Sequence, residues 1–215
     1  MTKRIFVLTI AVIACFARTG HAQTCLGAPS FRDVVAQGMA MQVAGRIGRL
    51  GDATTFGMDF GVGRSAFLIL GYTGSTAENV GATAQATFGV DLGSDRIAVC
   101  PLGRFGRFLG TERAQFSSHG YWVEGGAQVG IVVLDTDLLR VVPTLGVRLD
   151  HERRTIDFVG LDRSPQRTSS TFGLARLGVG LVLSDNVGIT PTLQLNLGEA
   201  GAKSFILQVA LAFGA

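Results

Sequence analysis

Lysine is almost missing from this chain. Beyond residue 22 only Lys203 remains. Charged residues make up 16% of the 215, against roughly 25% in typical soluble domains. Mean hydropathy is +0.37, high for a surface bathed in water. Long apolar runs are missing as well. Past the N-terminus no stretch of about 18 apolar residues exists, which excludes a transmembrane helix. A basic stripe is also lacking. The formal charge of +3 is carried by the N-terminal segment, so no nucleic-acid partner is expected. Histidine is scarce and never closely paired, and the cysteines lie far apart, so no metal site or cofactor is expected.

That N-terminal segment reads as an export signal. Lys3 and Arg4 form a basic start, Ile5 to Cys15 a short apolar run, and Gly20-His21-Ala22 ends on the small residue that signal peptidase needs. Cleavage is expected after Ala22, leaving 23–34 as a periplasmic N-terminal segment. A lipoprotein reading competes, because Val12-Ile13-Ala14-Cys15 has the form of a lipobox, but its leading regions would then be unusually short. Lys3, Arg4 and Arg18 leave with the signal. The 19 basic residues then fall to 16, equal to the 16 acids, and the net charge is zero.

What the chain does contain is alternation. From Val80 to Leu92 every second residue is apolar, with Gly, Thr, Gln and Asp between. A period of two places each set on one face of a strand. Ten such segments are expected: Val35–Arg49, Thr55–Gly63, Ala66–Thr73, Val80–Leu92, Arg96–Leu109, Tyr121–Leu134, Leu139–Asp150, Thr171–Leu183, Val187–Leu197 and Ser204–Phe213. Pro101 interrupts the fifth pattern. A phase slip at Ala175-Arg176 suggests a bulge in the eighth. The second and third segments are short for a tilted span of about 9–11 residues, so eight strands is the alternative.

Tight turns are expected at Gly63-Arg64-Ser65, Gly93-Ser94-Asp95, Asp135-Thr136-Asp137 and Ser184-Asp185-Asn186, where Gly, Asn, Asp and Ser tolerate positive φ or bond nearby backbone. Longer connections are expected at Leu50–Thr54, Gly74–Asn79, Gly110–Gly120, His151–Ser170 and Gly198–Lys203. Alternating short and long connections suit a membrane barrel with periplasmic turns and external loops. An exported, hydrophobic chain without a spanning helix has this one other route into a bilayer, because a closed barrel leaves no backbone group unpaired.

The non-apolar face lacks the many Lys and Glu that water would demand. It holds small residues and isolated opposed charges, which suit a narrow bore where Arg and carboxylates pair. The expected polar network there is Arg46, Asp59, Gln85, Asp91, Glu124, Gln128, Arg140, Arg148, Asp150, Gln194 and Gln208. Phe56, Tyr121, Trp122, Phe172 and Phe205 fall near one set of strand ends, and Phe67, Phe88 and Phe213 near the other, as interfacial girdles would. Barrels of about this size have filled interiors, so a structural or adhesive role, or at most a narrow channel, is expected.

From Val35 to Phe213 the pattern resembles the small outer-membrane β-barrel proteins of Gram-negative bacteria. The resemblance implies an all-β, closed antiparallel up-and-down transmembrane barrel, monomeric and in contact with outer-membrane lipids. It also implies that the insertion machinery reads the last strand. Phe205-x-Leu207-x-Val209-x-Leu211-x-Phe213 looks like that signal, although Gly214 and Ala215 follow the final aromatic.

Other motifs are weaker. Gly61-x-Gly63-x-x-Ala66 mimics a dinucleotide fingerprint, but a strand and not a helix follows it. Ser117, Ser118, His119, Asp150 and His151 fall at the external rim, where a hydrolase acting on lipid or peptide could place a nucleophile, base and acid; solvated loop residues are the plainer reading. A soluble periplasmic lipocalin-like barrel is the other alternative. The charged segment His151–Ser170 offers arginines to lipid phosphates or a partner. Two cysteines, Cys25 and Cys100, remain after cleavage, and an oxidising periplasm favours a disulfide between them. Cys100 is expected to point inward near the periplasmic mouth.

Overall fold

A computed structural model describes residues 40–63, 66–76, 81–92, 96–113, 116–158, 164–183, 187–198 and 203–214. The export signal, the segment 23–34 and Cys25 lie outside the described residues. The strands are β1 (Ala40–Leu50), β2 (Ala53–Gly63), β3 (Ala66–Ser75), β4 (Thr83–Val90), β5 (Ile97–Arg113), β6 (Phe116–Ile131), β7 (Leu134–Asp135), β8 (Leu139–Phe158), β9 (Gln166–Leu183), β10 (Val187–Asn196) and β11 (Lys203–Gly214). Each pairs antiparallel with its neighbour, and β1 pairs with β11, so the sheet closes. The two-residue β7 continues β6 beyond an irregularity and borders the turn before β8. The barrel proper therefore has ten strands, and the eight-stranded alternative is set aside. β2 and β3 reach 11 and 10 residues, long enough to span.

Closure comes with strong stagger. A path across the strands leaves Gly214 at the end of β11. It crosses Ala40, Gly63, Phe67, Gly89, Leu102, Gly126, Arg148 and Leu174 to Asn196, then meets β11 at its opposite end, just before Lys203. A stagger of this kind tilts strands by typically 35–45° from the barrel axis. Ala40 and Gly214 share one end of the barrel, here called the terminal end. The hairpin tips of β1–β2, β5–β6 and β8–β9 mark the far end.

Side chains sort by parity. Phe60, Leu70, Phe88, Phe105, Val123, Val147, Leu177 and Leu211 point outward and are exposed. Gln42, Asp59, Thr87, Arg104, Glu124, Arg148, Thr190 and Ser204 point inward and are buried. Soluble monomers rarely expose so continuous an apolar belt. Two small apolar patches lie inside toward the terminal end, Phe67, Ile69, Ala98, Cys100 and Leu102, and Ala44, Val182, Ala210 and Ala212, and Phe108, Trp122, Val142 and Leu174 are buried outside these patches. Three of the expected girdle aromatics belong inside: Trp122 and Phe67 are buried in the bore, and Phe172, half-buried, shares the inward parity of Leu174 and Arg176 opposite Asp150. Phe56, Tyr121, Phe88, Phe205 and Phe213 do face outward, joined by Phe105, which stacks on Tyr121 with ring centroids 6.4 Å apart.

Several rings lie across glycines. Phe56 stands opposite Gly74, Phe67 opposite Gly89, Phe88 opposite Gly103, and Trp122 opposite Gly106. A Cβ on any of these glycines would come within 2.5 Å of the ring. The aromatic lies flat over the missing side chain and restores the packing that glycine costs a strand.

Three local expectations fail. Pro101 does not interrupt β5; it sits in register opposite Ala127. A proline facing outward keeps the strand's phase while giving up one N–H. No bulge occurs at Ala175-Arg176, where the β8–β9 register runs unshifted. The β5–β6 irregularity falls instead between Phe108 and Thr111, around Gly110 at φ 85, a backbone conformation that favours glycine. The third concerns loops. Leu50–Thr54 is a two-residue turn at Gly51-Asp52, with Leu50 paired to Ala53. Gly110–Gly120 and His151–Ser170 are largely strand. β5, β6, β8 and β9 run 17, 16, 20 and 18 residues, against 8 to 12 for the other barrel strands. They rise beyond the far rim as a four-stranded wall, roughly 20 Å longer at 3.3 Å per residue.

Candidate functional site

Inward parity brings the expected polar residues to one bore, because alternate positions of every strand share it. Arg46 pairs with Asp59 across the β1–β2 hairpin at 2.7 Å. Its other nitrogen donates to Asp59 and to Thr73 Oγ1, both at 3.0 Å. Gln85 donates to the same carboxylate at 3.4 Å. Glu124 is the second hub. It accepts from Arg148 in a short contact and pairs with Arg104 at 3.5 Å. Arg148 also donates to Gln128 at 3.4 Å. Gln194 accepts from Arg176 at 2.7 Å. Gln208 lines the same mid-bore space. Arg140 sits toward the terminal end, 3.6 Å from Asp135 of β7. Asp91 is buried at that end too, and Asp150 stands on the far side of Arg148.

Two members of this network were not legible. Arg104 lies beyond Pro101, where the strand was expected to falter. Arg176 lies at the expected bulge. With β5 and β9 regular, simple parity would have placed both inside. Arg104 donates to Thr87 at 3.0 Å, and its guanidinium lies 5.4 Å from the Trp122 ring. Farther up the bore Arg154 stacks on Phe108 at 4.2 Å and bonds Glu152. These layers leave a mid-bore cavity of only about 70 Å³.

The rim candidates are not gathered into a site. His119 and His151 both face outward, but four residues apart along β6 register, because His151 pairs with Val123. That is about 13 Å. His119 Nδ1 is 3.2 Å from Asp157. His151 Nδ1 is 2.8 Å from Thr171 Oγ1, and its Nε2 is 3.5 Å from Ser169 Oγ. Asp150 points into the bore, on the opposite face from His151. Ser117 and Ser118 pair with Asp157 and Ile156, near neither Ser169 nor His151. The nucleophile, base and orienting acid that hydrolysis needs are therefore not assembled from these residues. No cluster of three metal-ligating side chains occurs among the described residues. At Gly61 and Gly63 the chain stays in strand β2 and continues into β3, so the dinucleotide mimic has no helix to hold phosphate.

No family model and no curated protein matches the chain. Among solved structures, the N-terminal β-barrel domain of Pseudomonas aeruginosa OprF is 16% identical, with 81% of this chain and 97% of that one covered and a TM-score of 0.41. Ail, the attachment invasion locus protein of Yersinia pestis, is 10% identical over 81% and 96%, with a TM-score of 0.42. The translocator domain of the autotransporter NalP from Neisseria meningitidis is 14% identical over 82% and 88%, at 0.49. Likenesses this distant describe those proteins, and nothing about this chain's role is taken from them.

The Glu124 hub generates a stability prediction. Glu124→Leu strands Arg104 and Arg148 in the bore and is expected to cost about 3–5 kcal/mol, the usual penalty for orphaning a buried charge. Glu124→Leu combined with Arg148→Leu removes part of that conflict and is expected to cost less than the single change. Urea unfolding in detergent micelles, read by cold-versus-heated gel mobility, checks this. A double variant weaker than the single one would contradict it.

Proposed function

We propose that this chain is a bacterial outer-membrane β-barrel with a filled bore, whose role is structural or adhesive and is exercised by its far-end wall. The observation that carries this reading is the pairing of an apolar exterior with an occluded interior. Arg46, Arg104, Arg148 and Arg176 reach inward from four strands, the first three pairing with Asp59 or Glu124 and the fourth bonding Gln194. Little beyond water can pass such a constriction. In this orientation the terminal end is periplasmic and the wall extracellular. Cleavage after Ala22 and export belong to the same proposal. The lipocalin alternative is disfavoured because the greasy side chains lie outside, not at the centre. A channel or a rim hydrolase finds no support in the bore or at the histidines.

The wall supplies contacts. On its outer face Arg107, Tyr121, Arg153 and Ser169 stand in one cross-strand row, all exposed. Arg167 is exposed on β9, opposite Thr155. Arg49 and Lys203 are exposed at the same end of β1 and β11. Guanidinium forks just above an aromatic stack favour the phosphates of outer-leaflet lipids. The closed barrel itself offers no edge to a second copy, which favours a monomer, although β5 and β9 run on past the ends of their β4 and β10 pairings in the wall. Phe205, Leu207, Val209, Leu211 and Phe213 alternate outward on β11 and offer the insertion machinery a readable strand. The wholly buried Cys100 sits at the terminal end of the bore, where a bridge to Cys25 would draw the segment 23–34 against the periplasmic mouth.

Two measurements test this reading. Mature protein refolded into a planar bilayer is expected to pass no steady current, and a large stable conductance would overturn the filled bore. In the folded, oxidised protein neither Cys25 nor Cys100 should react with a maleimide until a reductant is added; labelling at both positions without reductant would remove the bridge.

A further inference from the structure

We propose that the mid-bore cavity binds a small monovalent inorganic anion such as chloride. The cavity is lined by Arg46, Arg104, Arg148 and Arg176, with Asp59 the one carboxylate on its wall. Glu124 stands behind Arg104 and Arg148 and bonds both. Asp150 lies toward the far end, outside the lining. Counting all three carboxylates, the guanidiniums still outnumber them four to three. Asp91, which would balance the bore as a whole, sits away at the terminal end. Opposite charges have thus been separated along the axis, and the middle is left cationic.

The donors are also in excess. Each guanidinium carries five N–H groups and accepts nothing. Among the described residues, the side-chain hydrogen bond of Arg176 goes to the neutral Gln194. The Arg148 side chain is 5% exposed, lines the cavity and has an Nε without a partner. Gln85, Gln208 and Thr192 complete the wall with groups able to donate. A buried space with surplus cationic donors is costly unless a negative charge enters it. At about 70 Å³ the space has room for a chloride or a few waters. Organic ligands need several hundred Å³, and a cation would meet four like charges. The anion would act as a structural filler that locks four strands together, independently of what the wall binds.

Trp122 makes the site observable. It is the single tryptophan of the chain, and Arg104 both lines the cavity and stacks on its ring. In protein refolded in zwitterionic detergent, iodide replaces gluconate at constant ionic strength while Trp122 emission is followed. Saturable quenching that chloride reverses is expected. Arg176→Gln should weaken it about tenfold, the effect of losing one charge-assisted hydrogen bond. Quenching that rises linearly with iodide, or that saturates equally in Arg176→Gln, would overturn the site. A second readout needs no variant: the midpoint of the heat-induced gel shift should be higher in chloride than in gluconate at equal ionic strength. Equal midpoints would also overturn it.

Discussion

Closure of β1 onto β11 is the constraint from which the rest follows. The ladder from Ala40↔Gly214 to Leu50↔Ser204 turns an open sheet into a closed cylinder, past which only β5, β6, β8 and β9 project. Only then can the backbone sit among hydrocarbon without orphaned N–H and C=O groups, each costing several kcal/mol. Closure also divides the side chains into two populations that never meet. The outer one is free to be greasy. The inner one must fill a narrow tilted bore, and here it does so with arginines held by two carboxylates, not with an apolar core.

That division explains the composition. Where a soluble domain keeps its charges on the surface, this chain places many of them in the bore and sets others, such as Arg49, Arg107, Arg153, Arg167 and Lys203, at the far-end rim and wall. Glycine serves where rings lie flat across neighbouring strands, as Trp122 does over Gly106 and Phe88 over Gly103. Buried ion pairs seldom add net stability over apolar packing. Their presence in the bore fits a different need: a spanning barrel whose inside were as greasy as its outside would have no preferred face.

Strand number, alternation and inward placement of Arg46, Asp59, Glu124 and Arg148 were legible because the barrel's exterior and its bore differ sharply in polarity. The errors arose where that contrast fades or where a single residue type was overread. Above the rim both faces of β5, β6, β8 and β9 meet water, so the segments around Ser117-Ser118-His119 and Arg153-Arg154 lose their period and look like loops. Pro101 looks like a break, although an outward proline costs a strand one donor and not its phase. Leu174 and Val182 are apolar yet face the bore, which makes regular β9 look bulged at Arg176. Trp122 and Phe67 look like girdle residues by type, and only the register shows that each covers a glycine inside the barrel.

The central claim is the orientation of the two faces, and the single tryptophan tests it directly. Protein refolded into vesicles with bromine on the lipid chains is compared with the variant carrying Trp122→Phe and Val147→Trp. Trp122 faces the bore and its emission should be nearly unchanged by the brominated lipid, whereas a tryptophan at 147, on the outer belt, should be strongly quenched. Strong quenching of Trp122 with a protected tryptophan at 147 would contradict the account.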